Sequence, residues 1–177
     1  DHSIVPRVKS MINFSILDST RQKQTLEKHF TPSKLERICA ECLKRDSVDK
    51  NRPERYWVTL IALYSGSRLN EICQMNLSDI EEQDGIWVMN LINDSADKNI
   101  KTQSGNRVVP LHPKLIDLGL LNYMTEIRNK NETKLFPNLK RSELSSYGSP
   151  IGQWFGRYLK NPGLKKRGQN FHSFRHT

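Results

Sequence analysis

The sequence has no apolar run long enough to cross a bilayer. Its longest, WVTLIALY at residues 57–64, falls far short of the roughly 20 residues that a membrane helix needs. No apolar signal-peptide core lies near the first residue, and internal repeats and low-complexity tracts are also missing. These absences argue against membrane-spanning, secreted and repeat proteins. With 36% hydrophobic and 27% charged residues among 177, the composition predicts one globular domain in the cytoplasm.

Cysteine is scarce as well. Cys39, Cys42 and Cys73 form an odd set without disulfide spacing, which indicates a reducing compartment. Cys39 and Cys42 do form a C-x-x-C pair, but a structural zinc site takes four ligands and no second pair lies nearby. We interpret both as small apolar residues on the core face of a helix and predict no metal site.

The positive charge of the chain is unevenly distributed. The formal net charge is +9, yet residues 1–139 carry 20 Lys and Arg against 18 Asp and Glu, whereas residues 140–177 carry 8 against 1. A one-sided basic region is expected of a surface that neutralises phosphates, and the aromatic residues among these charges indicate packed structure. Because no long basic amphipathic pattern is present, nucleic acid is favoured over a membrane surface. The candidate DNA-binding residues are Lys140, Arg141, Arg157, Lys160, Lys165, Lys166 and Arg167.

Hydrophobic periodicity predicts where the chain forms helices. Residues 1–24 show no such pattern and are interpreted as a linker or arm. In TPSKLERICAECLKR, Thr31 is a candidate N-cap and Pro32 takes the first helical position, with apolar residues at helical spacing after them. The segment PERYWVTLIALYSG begins at Pro53, ends at Gly66 and is apolar nearly all round, which predicts a buried helix.

Arg68 lies at the start of the next predicted helix, SRLNEICQMNLSDI. Ser67 is the candidate N-cap and Ile72 and Cys73 belong to the core face, so Arg68 falls in the first turn, where a cation opposes the helix dipole. Glu71 offers an ion pair, but such a pair stabilises a helix by only about 0.2–0.5 kcal/mol. On this pattern alone, a functional role and a structural role for Arg68 are equally favoured.

Two segments rich in β-branched and aromatic residues predict a small antiparallel sheet. They are GIWVMNLI at residues 85–92 and RVVPL at residues 107–111, and the polar connection between them carries Lys101. Beyond Pro113 helical periodicity returns, breaks at LFPN and reappears near residues 149–160.

The segment FHSFRHT places three polar side chains at helical spacing. A helix would show His172, Arg175 and His176 on one side, with Phe171 and Phe174 facing elsewhere. A metal pair of histidines is one interpretation, but the H-E-x-x-H pattern needs a glutamate where a serine stands, and no third ligand is evident. Two arginines and a histidine at one place suit a phosphate, because arginine offers a planar fork of donors and histidine moves a proton near neutral pH.

Three motifs resemble those of the tyrosine recombinases, also called the phage integrase family. YSGSRLNEI is similar to the family's TGxRxxEL box, KTQSGNRVVPL to its β-hairpin lysine motif, and HSFRHT to its HxLRHT box. The resemblance implies a mainly helical α+β catalytic domain with a small antiparallel sheet over residues 25–177, and assigns residues 1–24 to an arm from a missing N-terminal DNA-binding domain. The four implied catalytic residues are Arg68, Lys101, His172 and Arg175. Glu71 and His176 are expected to support them.

The resemblance also implies a reaction. In the family, a tyrosine attacks a DNA phosphodiester and forms a 3′-phosphotyrosyl link, with no cofactor; the arginines stabilise charge on the phosphorus oxygens, while the lysine and histidine transfer protons. We expect this tyrosine to follow Thr177, so that the fragment binds double-stranded DNA without cutting it. The tyrosines at 56, 64, 123, 147 and 158 are expected to be core or surface residues.

The longer protein is accordingly expected to be a bacterial, DNA-associated recombinase that self-associates into a synaptic tetramer on DNA. The residues leave other interpretations open. These are a chromosome-dimer resolvase, a type IB topoisomerase, a non-catalytic DNA-binding module that retains the phosphate pocket, and a transferase or nuclease unrelated to recombination.

Overall fold

The computed structural model describes residues 28–46, 51–92, 106–142, 144–161, 164 and 168–177, with the backbone alone for residues 41–46. The elements in chain order are α1 (Pro32–Asp46), α2 (Pro53–Ser65), α3 (Leu69–Cys73), a 3₁₀ helix (Leu77–Asp79), β1 (Ile80–Gln83), β2 (Ile86–Leu91), β3 (Arg107–Pro110), α4 (Pro113–Asp117), α5 (Leu120–Asn129), α6 (Ser149–Tyr158) and a final 3₁₀ helix (Phe171–His176). The predicted α+β class, mainly helical with a small antiparallel sheet, is confirmed. Within the described ranges, no helix has the length and apolarity needed to span a bilayer.

Helices α1 and α2 begin and end where the sequence predicts. Pro32 and Pro53 occupy first-turn positions, where the missing N–H has no intrahelical partner to lose. Helix α2 is buried along most of its length and ends at Gly66, whose φ of +60° is a conformation that glycine adopts without a steric penalty. The N–H of Gly66 donates to the carbonyl of Ala62 at 2.9 Å, which closes the last turn.

Helix α3 is much shorter than its hydrophobic pattern suggests, and its predicted N-cap is wrong. Arg68, not Ser67, is the N-cap, with an extended backbone at φ −71° and ψ 145°. Ser67 is buried and its hydroxyl has no hydrogen-bond partner among the described residues, so it caps nothing. The chain leaves the helix after Cys73 because the following residues form a 3₁₀ turn and then a strand.

The sheet has three antiparallel strands in the order β1-β2-β3, one more than predicted. Strand β1 was missed because IEEQ is polar and buries only Ile80, as befits an edge strand. Ile80 pairs with Met89, and Met89 pairs in turn with Val109, so these residues lie on the same face of the sheet. The connection from β2 to β3, which includes Lys101, lies outside the described residues.

The helical stretch predicted between Pro113 and LFPN forms two helices rather than one. Gly119, at φ +93°, separates α4 from α5, and the LFP segment packs Leu135 and Phe136 into the core. In α6, Trp154 and Phe155 are buried, which confirms that the basic region contains packed structure.

An aromatic cluster positions the final 3₁₀ helix. Phe174 lies 5.1 Å from Phe30 and 5.4 Å from Phe155, measured between ring centroids, and Phe171 lies 5.2 Å from Phe155. The two phenylalanines thus pack the 3₁₀ helix against α6 and Phe30, and the other side of this helix faces solvent.

Candidate active site

Arg68 is held at the start of α3 by the carboxylate of Glu71. Its Nη1 donates to Glu71 Oε1 at 2.7 Å, and its backbone N–H donates to Oε2 at 3.0 Å. Arg68 is therefore tied to Glu71 through both its side chain and its backbone. The side chain of Glu71 is only 3% exposed, whereas that of Arg68 is 36% exposed and accessible to a ligand.

A second arginine, which we did not identify from the sequence, binds the same carboxylate. Arg107 is the first residue of β3 and donates through Nη2 to Glu71 Oε2 at 2.8 Å and through Nη1 to Oε1 at 3.4 Å. The available signal was strand alternation: Arg107 stands two residues from Val109 and therefore faces the core side of the sheet. A charged residue on the core side of a strand needs a buried partner.

The two arginines keep Glu71 ionised despite its burial. Burial by itself would raise the pKa of this carboxyl, but hydrogen bonds from Arg107 and Arg68 outweigh that effect and lower its pKa below the usual value. Glu71 therefore carries its negative charge at neutral pH, and the cluster of one carboxylate and two guanidinium groups has a net positive charge.

Replacing Glu71 by glutamine is expected to destabilise the fold more at neutral pH than in acid. A lowered folded-state pKa contributes stability that is present above the unfolded pKa and is lost as pH falls through the folded pKa. The variant should lose on the order of 1–3 kcal/mol at pH 7, since both arginines keep their burial but lose their anion.

Urea unfolding of both proteins at several pH values between about 3.5 and 7 measures this effect. The deficit of Glu71→Gln should shrink steadily toward the acidic end. Glu82→Gln, a change at an exposed carboxylate on β1, is the control and should follow the parent protein. A deficit of Glu71→Gln that is independent of pH contradicts the assignment.

The final 3₁₀ helix carries the second group of predicted site residues. The Asn170 side chain accepts the N–H of His172 at 2.8 Å, and the hydroxyl of Ser173 accepts the N–H of Asn170 at 3.1 Å, so the turn is capped at its start. His172, Arg175 and His176 are exposed while the two phenylalanines are buried, which is the division that the sequence predicts. The helix is of the 3₁₀ type rather than α.

The loop after α2 brings the two groups together. Arg175 Nη1 donates to the carbonyl of Gly66 at 3.1 Å, two residues before Arg68, although 109 positions separate the donor from the acceptor. His172 lies 4.9 Å from His176 between ring centroids. Its pKa is lowered by partial burial and then by the charges of His176, Arg175, Arg68 and Lys28. His172 is therefore neutral at neutral pH and able to accept a proton.

This arrangement of side chains is suited to binding a phosphate. Arg175 binds the carbonyl of Gly66, two residues before Arg68, and the charges of both arginines act on the neutral imidazole of His172. Among the described residues, no group of three or more histidine, cysteine or carboxylate side chains is arranged to hold a metal ion. The residues present thus suit stabilisation of anionic oxygens and transfer of a proton.

Some of the remaining candidates are exposed residues, and the others lie outside the described residues. The four candidates that lie outside the described residues are Lys101, Lys165, Lys166 and Arg167. Arg157 and Lys160 are exposed on α6 and just after it.

Lys140 and Arg141 are exposed as well. Lys140 lines a cavity of about 630 Å³ together with Pro53, the first residue of α2. Because a helix rises 1.5 Å per residue, this end of the 13-residue α2 lies about 20 Å from the end that carries Gly66.

The five tyrosines take part in packing. Tyr56, Tyr123 and Tyr158 are buried, whereas Tyr64 and Tyr147 are half-buried. Burial, and then the nearby Cys39, raise the pKa of Tyr64 to about 12. Its phenolate is therefore costly to form at neutral pH.

The residues around Phe30 are tied to the final 3₁₀ helix by contacts that no local sequence pattern predicts. Thr177 Oγ1 accepts the N–H of Phe30 at 3.1 Å. Gln169, which is buried, donates to the carbonyl of His29 at 2.5 Å and accepts from Lys34 Nζ at 2.6 Å. These hydrogen bonds hold the start of α1 against the helix that carries His172 and Arg175.

Among solved structures, the fold is similar to that of the XerH site-specific recombinase bound to its difH substrate in a pre-cleavage complex. The TM-score is 0.61, with 23% identity over 89% of this chain and 43% of the recombinase chain. It is also similar to XerH bound to a palindromic difH substrate in a post-cleavage complex. That comparison has a TM-score of 0.62, with 23% identity over 92% of this chain and 44% of the other.

This chain therefore spans less than half the length of the recombinase chains it matches. A search of curated protein sequences found no significant match. The sequence pattern of the phage integrase family matches residues 28–177. This range includes the sheet, Arg68 at the start of α3 and the final 3₁₀ helix. The chain belongs to the phage integrase family.

Proposed function

We propose that this chain is the main part of the catalytic domain of a site-specific DNA recombinase. The longer protein cleaves and rejoins DNA strands through a 3′-phosphotyrosyl intermediate. The observation that carries the proposal is the hydrogen bond from Arg175 to the carbonyl of Gly66, because it brings the arginine of HSFRHT to the loop two residues before Arg68. Membership of the phage integrase family supports the same reaction.

Each residue of the site has a role in this proposal. Arg68 and Arg175 bind the non-bridging oxygens of the scissile phosphate and stabilise the negative charge that accumulates on them in the transition state. His172, which is neutral at neutral pH, accepts the proton of the attacking hydroxyl. Lys101 protonates the leaving 5′-oxygen, a role that rests on the resemblance of its motif alone. Glu71 holds Arg68 in place.

The attacking tyrosine is proposed to lie outside these 177 residues. Three of the five tyrosines are buried in the core, and the half-buried Tyr64 has a pKa raised to about 12. Each is already used in packing, for example Tyr123, which donates to the carbonyl of Leu135 at 2.9 Å. A nucleophile has to reach the phosphate, and these tyrosines could do so only by giving up the contacts that pack them.

The proposed ligand is double-stranded DNA bound through its phosphates. The excess of positive charge in residues 140–177 supports this, as do the recombinase–DNA complexes of similar fold. We further propose that the longer protein assembles on DNA as a tetramer, in which strands are exchanged between two duplexes, and that it acts in the bacterial cytoplasm as an integrase of a mobile element.

Covalent trapping on nicked DNA tests the proposed function. A longer chain that restores the residues after Thr177 is incubated with a nicked duplex carrying its target site, and denaturing gels detect a protein–DNA adduct. Because of the nick, the short fragment that carries the released 5′-hydroxyl diffuses away. Rejoining is then prevented, and the covalent intermediate accumulates. We expect an adduct with the longer chain and DNA binding without adduct for the 177-residue chain.

Two results would contradict the proposal. Binding without any adduct by the longer chain would indicate a non-catalytic DNA-binding module. Cleavage by the 177-residue chain alone, or an adduct mapped by mass spectrometry to one of its five tyrosines, would place the nucleophile within it.

A further inference from the structure

Glu71 is shared between two arginines from different parts of the fold. Each of its carboxylate oxygens accepts two hydrogen bonds: Oε1 from Arg68 Nη1 and Arg107 Nη1, and Oε2 from the Arg68 backbone and Arg107 Nη2. The carboxylate is thus saturated on both oxygens. Arg107 contributes both of its contacts from β3, 36 positions along the chain from Glu71.

The pair of Arg68 and Glu71 is insufficient by itself to fix the Arg68 side chain. An i, i+3 ion pair on a helix is worth only about 0.2–0.5 kcal/mol, and the guanidinium is 36% exposed. A carboxylate on a short helix has rotamers that swing it away from its neighbour. Arg107 removes that freedom, because its fork binds both oxygens and its own backbone is part of the sheet.

Arg107 also changes the charge of the site. A lone Arg68–Glu71 pair is neutral and would stabilise only weakly the negative charge that develops on a phosphate in the transition state. With Arg107 included, the cluster has a net positive charge, and its carboxylate is only 3% exposed. Among the described residues, Glu71 is the hydrogen-bond partner of Arg68, through Nη1 and the backbone N–H alone, so other guanidinium donors of Arg68 remain for a ligand.

We propose that Arg107 is a positioning residue of the strand-cleavage site. It holds Glu71 so that Arg68 presents its guanidinium to the phosphate in one orientation, and it offsets the negative charge of Glu71. This inference rests on the proposed function for its catalytic consequence. Its structural part, the immobilisation of Arg68, stands independently.

Nuclear magnetic resonance on the 177-residue chain tests the structural part. The order parameter of the Arg68 Nε–H bond, assigned with the variant Arg68→Lys, should be high in the parent protein. In Arg107→Ala it should fall toward the flexible range, below about 0.6. Asn90→Ala is the matched control, because it removes an exposed hydrogen bond to Glu81 on the same sheet, and it should leave the Arg68 signal unchanged. An Arg68 that stays rigid in folded Arg107→Ala overturns the proposal.

Single-turnover cleavage by the longer chain tests the catalytic part. With DNA saturated by protein, Arg107→Ala should form adduct about 10- to 100-fold more slowly, since a small misplacement of a catalytic group has that effect. DNA affinity should change by less than about threefold, because Arg107 faces Glu71 rather than the ligand. Arg107→Lys keeps the charge but not the fork and should fall between the parent and the alanine variant.

The outcomes separate the two proposals. If the parent protein forms an adduct and folded Arg107→Ala forms it equally fast, the positioning role is wrong and the recombinase assignment stands. If the parent forms no adduct, the proposed function fails, and the mobility of Arg68 alone decides whether Arg107 positions it. Should Arg107→Ala fail to fold, Arg107→Lys is measured in both experiments: an Arg68 more mobile than in the parent and slower cleavage support the role, and parental values in both overturn it.

Discussion

Replacing Arg175 by alanine in the longer protein is expected to slow adduct formation by about 10²–10³-fold while DNA affinity falls far less. Arg175 is exposed, donates to the carbonyl two residues before Arg68, and its charge acts on His172. An arginine matched to charge that develops during the reaction acts mainly in the transition state, so its loss appears in the rate of the chemical step. Adduct formation on nicked duplex DNA at saturating protein, together with a binding titration, measures the two effects separately.

The fold should survive this substitution. Within the described residues, Arg175 makes one side-chain hydrogen bond, to the carbonyl of Gly66, and losing an exposed bond of this kind costs about 0.5–1.5 kcal/mol. Arg128→Ala, a change at an exposed arginine on α5, is the control and should cleave at the parental rate. Equal losses in rate and in affinity for Arg175→Ala would mean that the residue only binds DNA.

The elements predicted well from the sequence are those with local signals at both ends. Helix α2 starts at Pro53 and is capped at its end by Gly66. The backbone there has a positive φ, which glycine adopts without strain. The division of FHSFRHT into buried and exposed residues was also predictable, because a turn of about three residues and a turn of 3.6 residues place the same two phenylalanines together.

The elements predicted poorly are those decided by distant contacts. Strand β1 has little hydrophobic signal of its own and forms because β2 offers it a partner along Ile80 to Gln83. The apolar residues after Cys73 fit a helix pattern, yet Met75 accepts the N–H of Leu135 in an isolated contact outside any helix. Such pairing depends on where residues 60 positions away lie, which periodicity does not encode.

The site was predictable to the extent that a motif names its residues. Arg175 contacts the loop before Arg68, and the charges of both arginines act on His172. The catalytic roles that the resemblance implies for these three residues stay predictions. Arg107 belongs to the segment RVVPL, whose composition predicts a strand, but its partner Glu71 lies in another segment and leaves no local signal. Whether a charged strand residue faces solvent or a buried carboxylate depends on register, and register is a property of the assembled sheet.

DNA binding by the 177-residue chain is expected to weaken on the order of 10³-fold between low and moderate salt. The chain has a formal net charge of +9, and residues 140–177 hold 8 of its 28 basic residues but 1 of its 19 acidic residues. Basic groups that neutralise phosphates release condensed cations, so the logarithm of affinity falls linearly with the logarithm of salt concentration, with a slope of about −0.9 per contact. Fluorescence anisotropy with a labelled duplex, at salt concentrations from about 50 to 200 mM, measures that slope.

Two of the candidate contacts are testable as a pair because they share one surface. Arg157 and Lys160 are both exposed and lie three residues apart at the C-terminal end of α6, where the Lys160 N–H donates to the carbonyl of Arg157, so they could follow a single DNA backbone. Replacing both by glutamine should make the slope shallower by about two phosphates and weaken binding similarly for all sequences. Lys130→Gln combined with Arg128→Gln, which removes the same charge from the end of α5, should leave the slope near its parental value. A parental slope in Arg157→Gln/Lys160→Gln, or an affinity independent of salt, would mean that phosphate neutralisation by this surface does not drive binding.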